Sequence, residues 1–140
     1  MKKLICGLCC VVIVFALNAD VQAGSDLKWK SFKQYANQGN SDGKIIYIHF
    51  WATWCQYCHK MEKDTFGNPK VVAALNKDFY PIRVNTDKEP LIAGVFGVRG
   101  LPYNLFLTED GKILAHRPGY VSPKTFLKIL FAVNEQAASQ

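Results

Sequence analysis

The sequence predicts an α/β fold, a mixed central sheet covered by helices on both faces. Three observations carry that expectation. The patterned segments come in the order helix, strand, helix, helix, strand, helix, strand, strand, helix. The run from Ile45 to Phe50 is rich in β-branched and aromatic residues and comes after Ser41-Asp42-Gly43-Lys44, which fits a mostly buried strand entered from a turn. Two later helices each open on a capping residue followed by proline, at Asn68-Pro69 and at Ser122-Pro123.

Taken in order, the chain starts with the basic Met1-Lys2-Lys3, the apolar stretch 4–17 and the small-residue approach Val21-Gln22-Ala23. This pattern predicts an export signal over residues 1–23, cleaved after Ala23, because an apolar run this short spans a bilayer poorly. Residues 24–140 then form one domain. Cys6, Cys9 and Cys10 leave with the signal, and only Cys55 and Cys58 of the five cysteines remain. The whole chain carries a formal charge of +6, and the loss of Lys2, Lys3 and Asp20 changes this little. The charges are scattered, which argues against a nucleic-acid partner and for a solvated surface.

Leu27, Trp29, Phe32, Tyr35 and Ala36 predict a first helix within residues 26–39, ending at Gly39. Strand 45–50 is next, then a helix through Cys58 to Asp64. Gly67-Asn68-Pro69 resets the chain for a helix over 70–76, and strand 79–84 comes after it. A helix over 89–96 is closed by Gly97. Strand 103–107 and residues 113–115 form a hairpin about Glu109-Asp110-Gly111-Lys112, and the last helix is expected to turn Phe126, Leu127, Leu130 and Phe131 inward.

Chemistry concentrates at Trp54-Cys55-Gln56-Tyr57-Cys58-His59, where strand gives way to helix. Unpaired backbone N–H groups and aligned peptide dipoles at a helix start favour a thiolate over a thiol, so Cys55 is the expected nucleophile. Cys58, one turn on, can attack a mixed disulfide at Cys55 and release it. Gln56 and Tyr57 bring no cation to the pair. His59 either turns its ring toward the sulfurs or lies on the exposed helix flank, and Trp51 and Trp54 are expected to form an apolar rim. The same residues match the short attachment motif of c-type haem, but a strand-rich chain is a poor haem shell, and Cys55, Cys58 and His59 are too crowded for a normal zinc spacing. No cofactor and no metal are expected.

Phe50 to Cys58, Gly100-Leu101-Pro102, the turn Thr108 to Lys112 and Gly119 before the last helix together resemble the thioredoxin superfamily. Lys60-Met61-Glu62-Lys63 and Thr65-Phe66 are similar to the residues after the cysteine pair in the carboxyl-terminal domain of the thiol reductase DsbD. The resemblance implies a thioredoxin-like three-layer sandwich and a disulfide exchanged with partner proteins. It also implies a cis-proline at Pro102 beside the pair. Polypeptide would then be bound through the main chain at Gly100 and Leu101 and through Trp54, Gln56 and Tyr57.

One position departs from the family. Thioredoxins usually bury an aspartate six residues before the first cysteine, and here that residue is His49. Strand alternation puts Ile45, Tyr47 and His49 on one face. His49 could accept the proton of Cys58 during resolution, or it could be a core histidine satisfied by a backbone carbonyl. The expected function is an exported, periplasmic or secreted protein thiol-disulfide oxidoreductase acting in the reducing direction. It would be a monomer, not membrane-embedded when mature, recharged by an upstream redox partner. A disulfide oxidase or isomerase, or a redox-inactive binding module, are the alternatives, and insulin reduction separates the last from the rest.

Overall fold

The computed structural model describes residues 26–40 and 42–140, so the expected export signal lies outside the described residues. The elements are α1 (Phe32–Gln38), β1 (Ile45–Trp51), α2 (Gln56–Asp64), α3 (Pro69–Asp78), β2 (Phe79–Asn85), α4 (Pro90–Val95), β3 (Tyr103–Leu107), β4 (Ile113–Pro118) and α5 (Pro123–Ala138). The strands form one mixed sheet in the order β2-β1-β3-β4. β1 runs parallel to β2 and antiparallel to β3, and β3 pairs antiparallel with β4. The α/β expectation therefore holds. Among the described residues, no helix is long and apolar enough to cross a membrane.

The two cores are a direct product of the period-two alternation along β1. Ile45 and Tyr47 point into a core built with Met61 of α2, Val71 and Leu75 of α3, and Phe126 and Leu130 of α5. Ile46, Ile48 and Phe50 point the other way, toward Ala93 of α4 and the half-buried Phe32 and Tyr35 of α1. Asn68 caps α3 through its side-chain oxygen, and Ser122 caps α5, each with proline in the first turn. These caps satisfy N–H groups that helix starts leave unpaired.

Three expectations are corrected. The first helix begins at Phe32, not near Asp26, because Ser31 and Gln34 form a reciprocal capping box there. Ahead of it the Trp29 N–H closes a tight turn on the Leu27 carbonyl at 2.9 Å, and Lys30 then bridges to β2: its N–H donates to the Pro81 carbonyl at 2.8 Å and its carbonyl accepts from Arg83 N–H at 3.0 Å. Leu27 and Trp29 thus pack against the core from outside the helix. In α5 the inward stripe is Phe126, Leu130 and Val133, at i, i+4 and i+7, while Phe131 is 64% exposed. The hairpin is also longer than expected, since β4 continues to Pro118 past a register shift at Phe106/Leu107.

Candidate active site

β1 ends at Trp51, and the chain turns through Ala52, Thr53 and Trp54 before α2. The Cys55 N–H closes this turn on the Ala52 carbonyl at 3.1 Å. Cys55 then occupies the capping position of α2, with extended backbone angles (φ −80°, ψ 101°), and its sulfur accepts the Cys58 N–H at 3.2 Å. Cys55 and Cys58 form a disulfide with their Cα atoms 5.2 Å apart. In the reduced pair the same N–H and the helix dipole would act on a Cys55 thiolate.

Both cysteines are buried, in a small apolar cluster with Ala52, Trp51 and Leu101. The Leu101-Pro102 peptide bond is cis, as the resemblance implied, and the Pro102 carbonyl accepts the Gly119 N–H at 2.7 Å. Gly100, Gln56 and Tyr57 are exposed, Tyr57 by 61%. Trp54 is 69% exposed, and its indole N–H donates to Asp87 Oδ1 at 3.3 Å. The structure thus joins Leu101 to the cysteines in one cluster and leaves Trp54, Gln56 and Tyr57 open to solvent around the start of α2.

His49 lies a layer deeper. It is fully buried, with its ring 4.8 Å from Phe66 and 5.9 Å from Trp29 between centroids. Its hydrogen-bond partner is a side chain, not the expected backbone carbonyl: Nδ1 lies 3.1 Å from Asn104 Oδ1. The same oxygen accepts the Tyr47 hydroxyl at 2.7 Å, and Asn104 Nδ2 donates to the Arg117 carbonyl at 3.1 Å. Burial holds the Tyr47 phenol well above its ordinary range, so it stays a donor. An amide oxygen only accepts, so His49 carries its proton on Nδ1 and its Nε2 is a bare lone pair. That Nε2 is buried and has no hydrogen-bond partner among the described residues. Burial, opposed by the Asn104 hydrogen bond and aided by the nearby Arg83 charge, pushes the His49 pKa down to about 3.

Arg83 is the register partner of His49 on β2. Its guanidinium lies 4.0 Å from the centre of the Trp51 ring and pairs with Glu62 of α2 at 3.1 Å. A cation and a carboxylate therefore stand behind the tryptophan that packs on the cysteines. Sequence reasoning missed Asn104, and it missed Arg83 and Glu62 as a pair. The signal for Asn104 was a lone amide in the otherwise apolar Tyr103 to Leu107 strand, opposite the lone imidazole of β1. Among the described residues, no three His, Cys, Asp or Glu side chains gather as a metal site would need.

Residues 32–134 match the model of a family described as a thioredoxin-like domain. The chain is 30% identical over 87 residues to the thiol:disulfide interchange protein DsbD of Photorhabdus laumondii, an alignment covering 60% of this chain and 15% of DsbD. It spans 13% of the uncharacterised Caenorhabditis elegans protein B0495.5, so these relatives are much longer than the part they share. A thioredoxin of Borreliella burgdorferi is 36% identical over 84 residues, covering 60% of this chain and 67% of that one. In fold, a thioredoxin from Thermus thermophilus superposes with a TM-score of 0.69 at 23% identity, over 78% of this chain and 88% of the other. A disulfide-bonded Cys-x-x-Cys pair at the start of the helix after β1 in such a fold supports thiol-disulfide oxidoreductase activity. The chain belongs to the thioredoxin-like domain family.

Proposed function

We propose that the protein is an exported thiol-disulfide oxidoreductase that reduces disulfides of partner proteins. The observation that carries this reading is the position of Cys55, capping α2 with its sulfur on the Cys58 N–H. In the reduced protein, Cys55 thiolate attacks one sulfur of a client disulfide, forming a mixed disulfide and expelling the other client sulfur as thiolate. Cys58, deprotonated, then attacks Cys55, and the second client sulfur leaves. Two electrons pass to the client, and Cys55-Cys58 is oxidised. A dithiol donor, the upstream partner, restores the pair by the reverse sequence. The partial match to an interchange protein supports a protein partner at both steps.

The reducing direction rests on the surroundings of Cys55. The dipeptide Gln56-Tyr57 adds no charge, so the thiolate is helped mainly by the helix start and the pair should lie in the reducing half of the superfamily span of about −270 to −120 mV. Export to the periplasm or outside the cell rests on residues 1–23, and the mature chain is expected as a monomer starting at Gly24. Leu101, packed on the cysteines, and the exposed Gly100, Trp54, Gln56 and Tyr57 are the surface offered to a client. His49 serves this site as a neutral core residue, a role its burial and its Asn104 partner support over proton transfer.

Equilibration of the pair with glutathione, together with turnover of insulin disulfides, tests the function. A potential near the oxidising end, or no insulin reduction, overturns the reductase reading. Rapid mixing with a model disulfide tests the part of His49: the decay of the mixed disulfide should keep its rate and pH profile in His49→Asn. A slowed decay would return the ring to proton handling.

A further inference from the structure

The ring of His59 is the feature next to the cysteines that the exchange chemistry leaves unused. His59 stands directly after Cys58 and four residues after Cys55, so it shares a face of α2 with the nucleophile, and its backbone N–H donates to the Cys55 carbonyl at 3.2 Å. Helical side chains lean toward the helix start. The ring accordingly runs back past the first turn, and its Nε2 lies 2.7 Å from the Thr53 carbonyl oxygen. A carbonyl only accepts, so Nε2 carries a proton directed at that oxygen.

Thr53 and Trp54 are both exposed, between the buried Ala52 and Cys55. Packing therefore does little to hold them. Two side-chain hydrogen bonds flank the pair: His59 to the Thr53 carbonyl, and the Trp54 indole to Asp87 at 3.3 Å. The first fixes the main chain that carries the indole, and the second fixes the indole edge.

We infer that His59 is a positioning residue that holds the Thr53-Trp54 turn, and with it the Trp54 ring, in the orientation a polypeptide client meets beside Cys55. It acts through the turn and not on sulfur. This rests on the oxidoreductase reading for its consequence, since a small disulfide that does not touch Trp54 gains less from an ordered rim than a protein disulfide does.

The test uses two amides of different reach on the full chain. In His59→Gln the amide nitrogen falls near the position of Nε2 and can still donate to Thr53, whereas in His59→Asn it falls near Nδ1 and stops short. With dithiothreitol as donor, His59→Asn should raise the KM for insulin about three- to tenfold, the size of one net hydrogen bond. Its effect on reduction of oxidised glutathione should be smaller, and His59→Gln should restore the wild-type KM. A second readout does not need turnover: exchange of the Trp54 indole proton by NMR, its resonance assigned with Trp54→Phe, should speed up in His59→Asn and not in His59→Gln. Equal indole exchange in wild type, Asn and Gln variants overturns the positioning role, as does an equal loss on insulin and oxidised glutathione, which would put the ring on the cysteine itself. If wild type reduces neither disulfide while the indole exchange behaves as expected, the oxidoreductase reading fails and the positioning role stands.

Discussion

The two faces of β1 are built on different terms. Ile46, Ile48 and Phe50 enter a core whose buried members are all apolar, and α1 and α4 close over it. Ile45, Tyr47 and His49 enter the other core, where Tyr47 and His49 both spend their hydrogen on the single oxygen of Asn104. The cysteine helix α2 packs on that second face, with Arg83 and Glu62 behind Trp51. An apolar face needs only the right shape and area, since burial of hydrocarbon is non-directional. A face with buried donors needs each one answered, because an unanswered donor costs more than a made bond gains. The contrast teaches that the reactive helix rests on the side of the sheet where register, and not just packing, is specified.

The largest expected effect isolates the chemistry to the second face. Cys55→Ser should abolish exchange, because a serine hydroxyl offers no comparable nucleophile at neutral pH, while Cys58→Ser should accumulate mixed disulfides at Cys55, read by non-reducing mass spectrometry. Trapping by the Cys55 variant instead would reverse the two roles. Next in size, Ile48→Ala on the apolar face should lose about 2 to 5 kcal/mol in urea unfolding and leave the exchange rate of the folded fraction as it was. A changed exchange rate would break the separation of the faces.

Asn104→Leu tests the polar face with an effect of similar size. It strands the Tyr47 hydroxyl and the His49 Nδ1–H, at about 1 to 3 kcal/mol for each unpaired group. A loss below about 1 kcal/mol in urea unfolding would show that the shared oxygen matters little. The smallest effect is a slope. His49 binds a proton at about 3 when folded and near 6.5 when unfolded, so the unfolded chain holds more protons between those values. Stability should therefore fall as pH drops from 6.5 toward 3, by up to about 1.4 kcal/mol per unit from this one group. In His49→Asn the acid limb should be shallower by that amount, measured by urea unfolding at several pH values. Equal slopes would mean that the ring is not buried neutral.

Legibility in the sequence divides along the same line. Alternation along β1, the capping residues Asn68 and Ser122, the helix ending at Asp64 and the cysteine pair are local signals, and each was readable within a few residues. The shared oxygen at Asn104 was not, because it depends on residues 55 and 57 positions away being brought opposite by an antiparallel register. The start of α1 was legible too, in the local Ser31 to Gln34 capping box, but the apolar spacing of Leu27 and Trp29 ahead of it masks that signal, and the contact of Lys30 with the β2 edge is not a local feature. Phe131 shows the weakness of an apolar count on a helix, since one residue past Leu130 is a turn of about 100° away from the core.

The segment ahead of α1 bears on how the sheet stops. A strand edge with free donors and acceptors is an invitation to further chains. On β2, Pro81 presents its carbonyl outward and has no N–H to present, so the residue that would interrupt a central strand does no damage here. Lys30 then takes the outward carbonyl of Pro81 and the outward N–H of Arg83. Two hydrogen bonds from one residue thereby withdraw the middle of this margin from intermolecular pairing. Leu27 to Lys30 supply little secondary structure of their own, yet through Lys30 they cover part of an edge that would otherwise stand open to another strand.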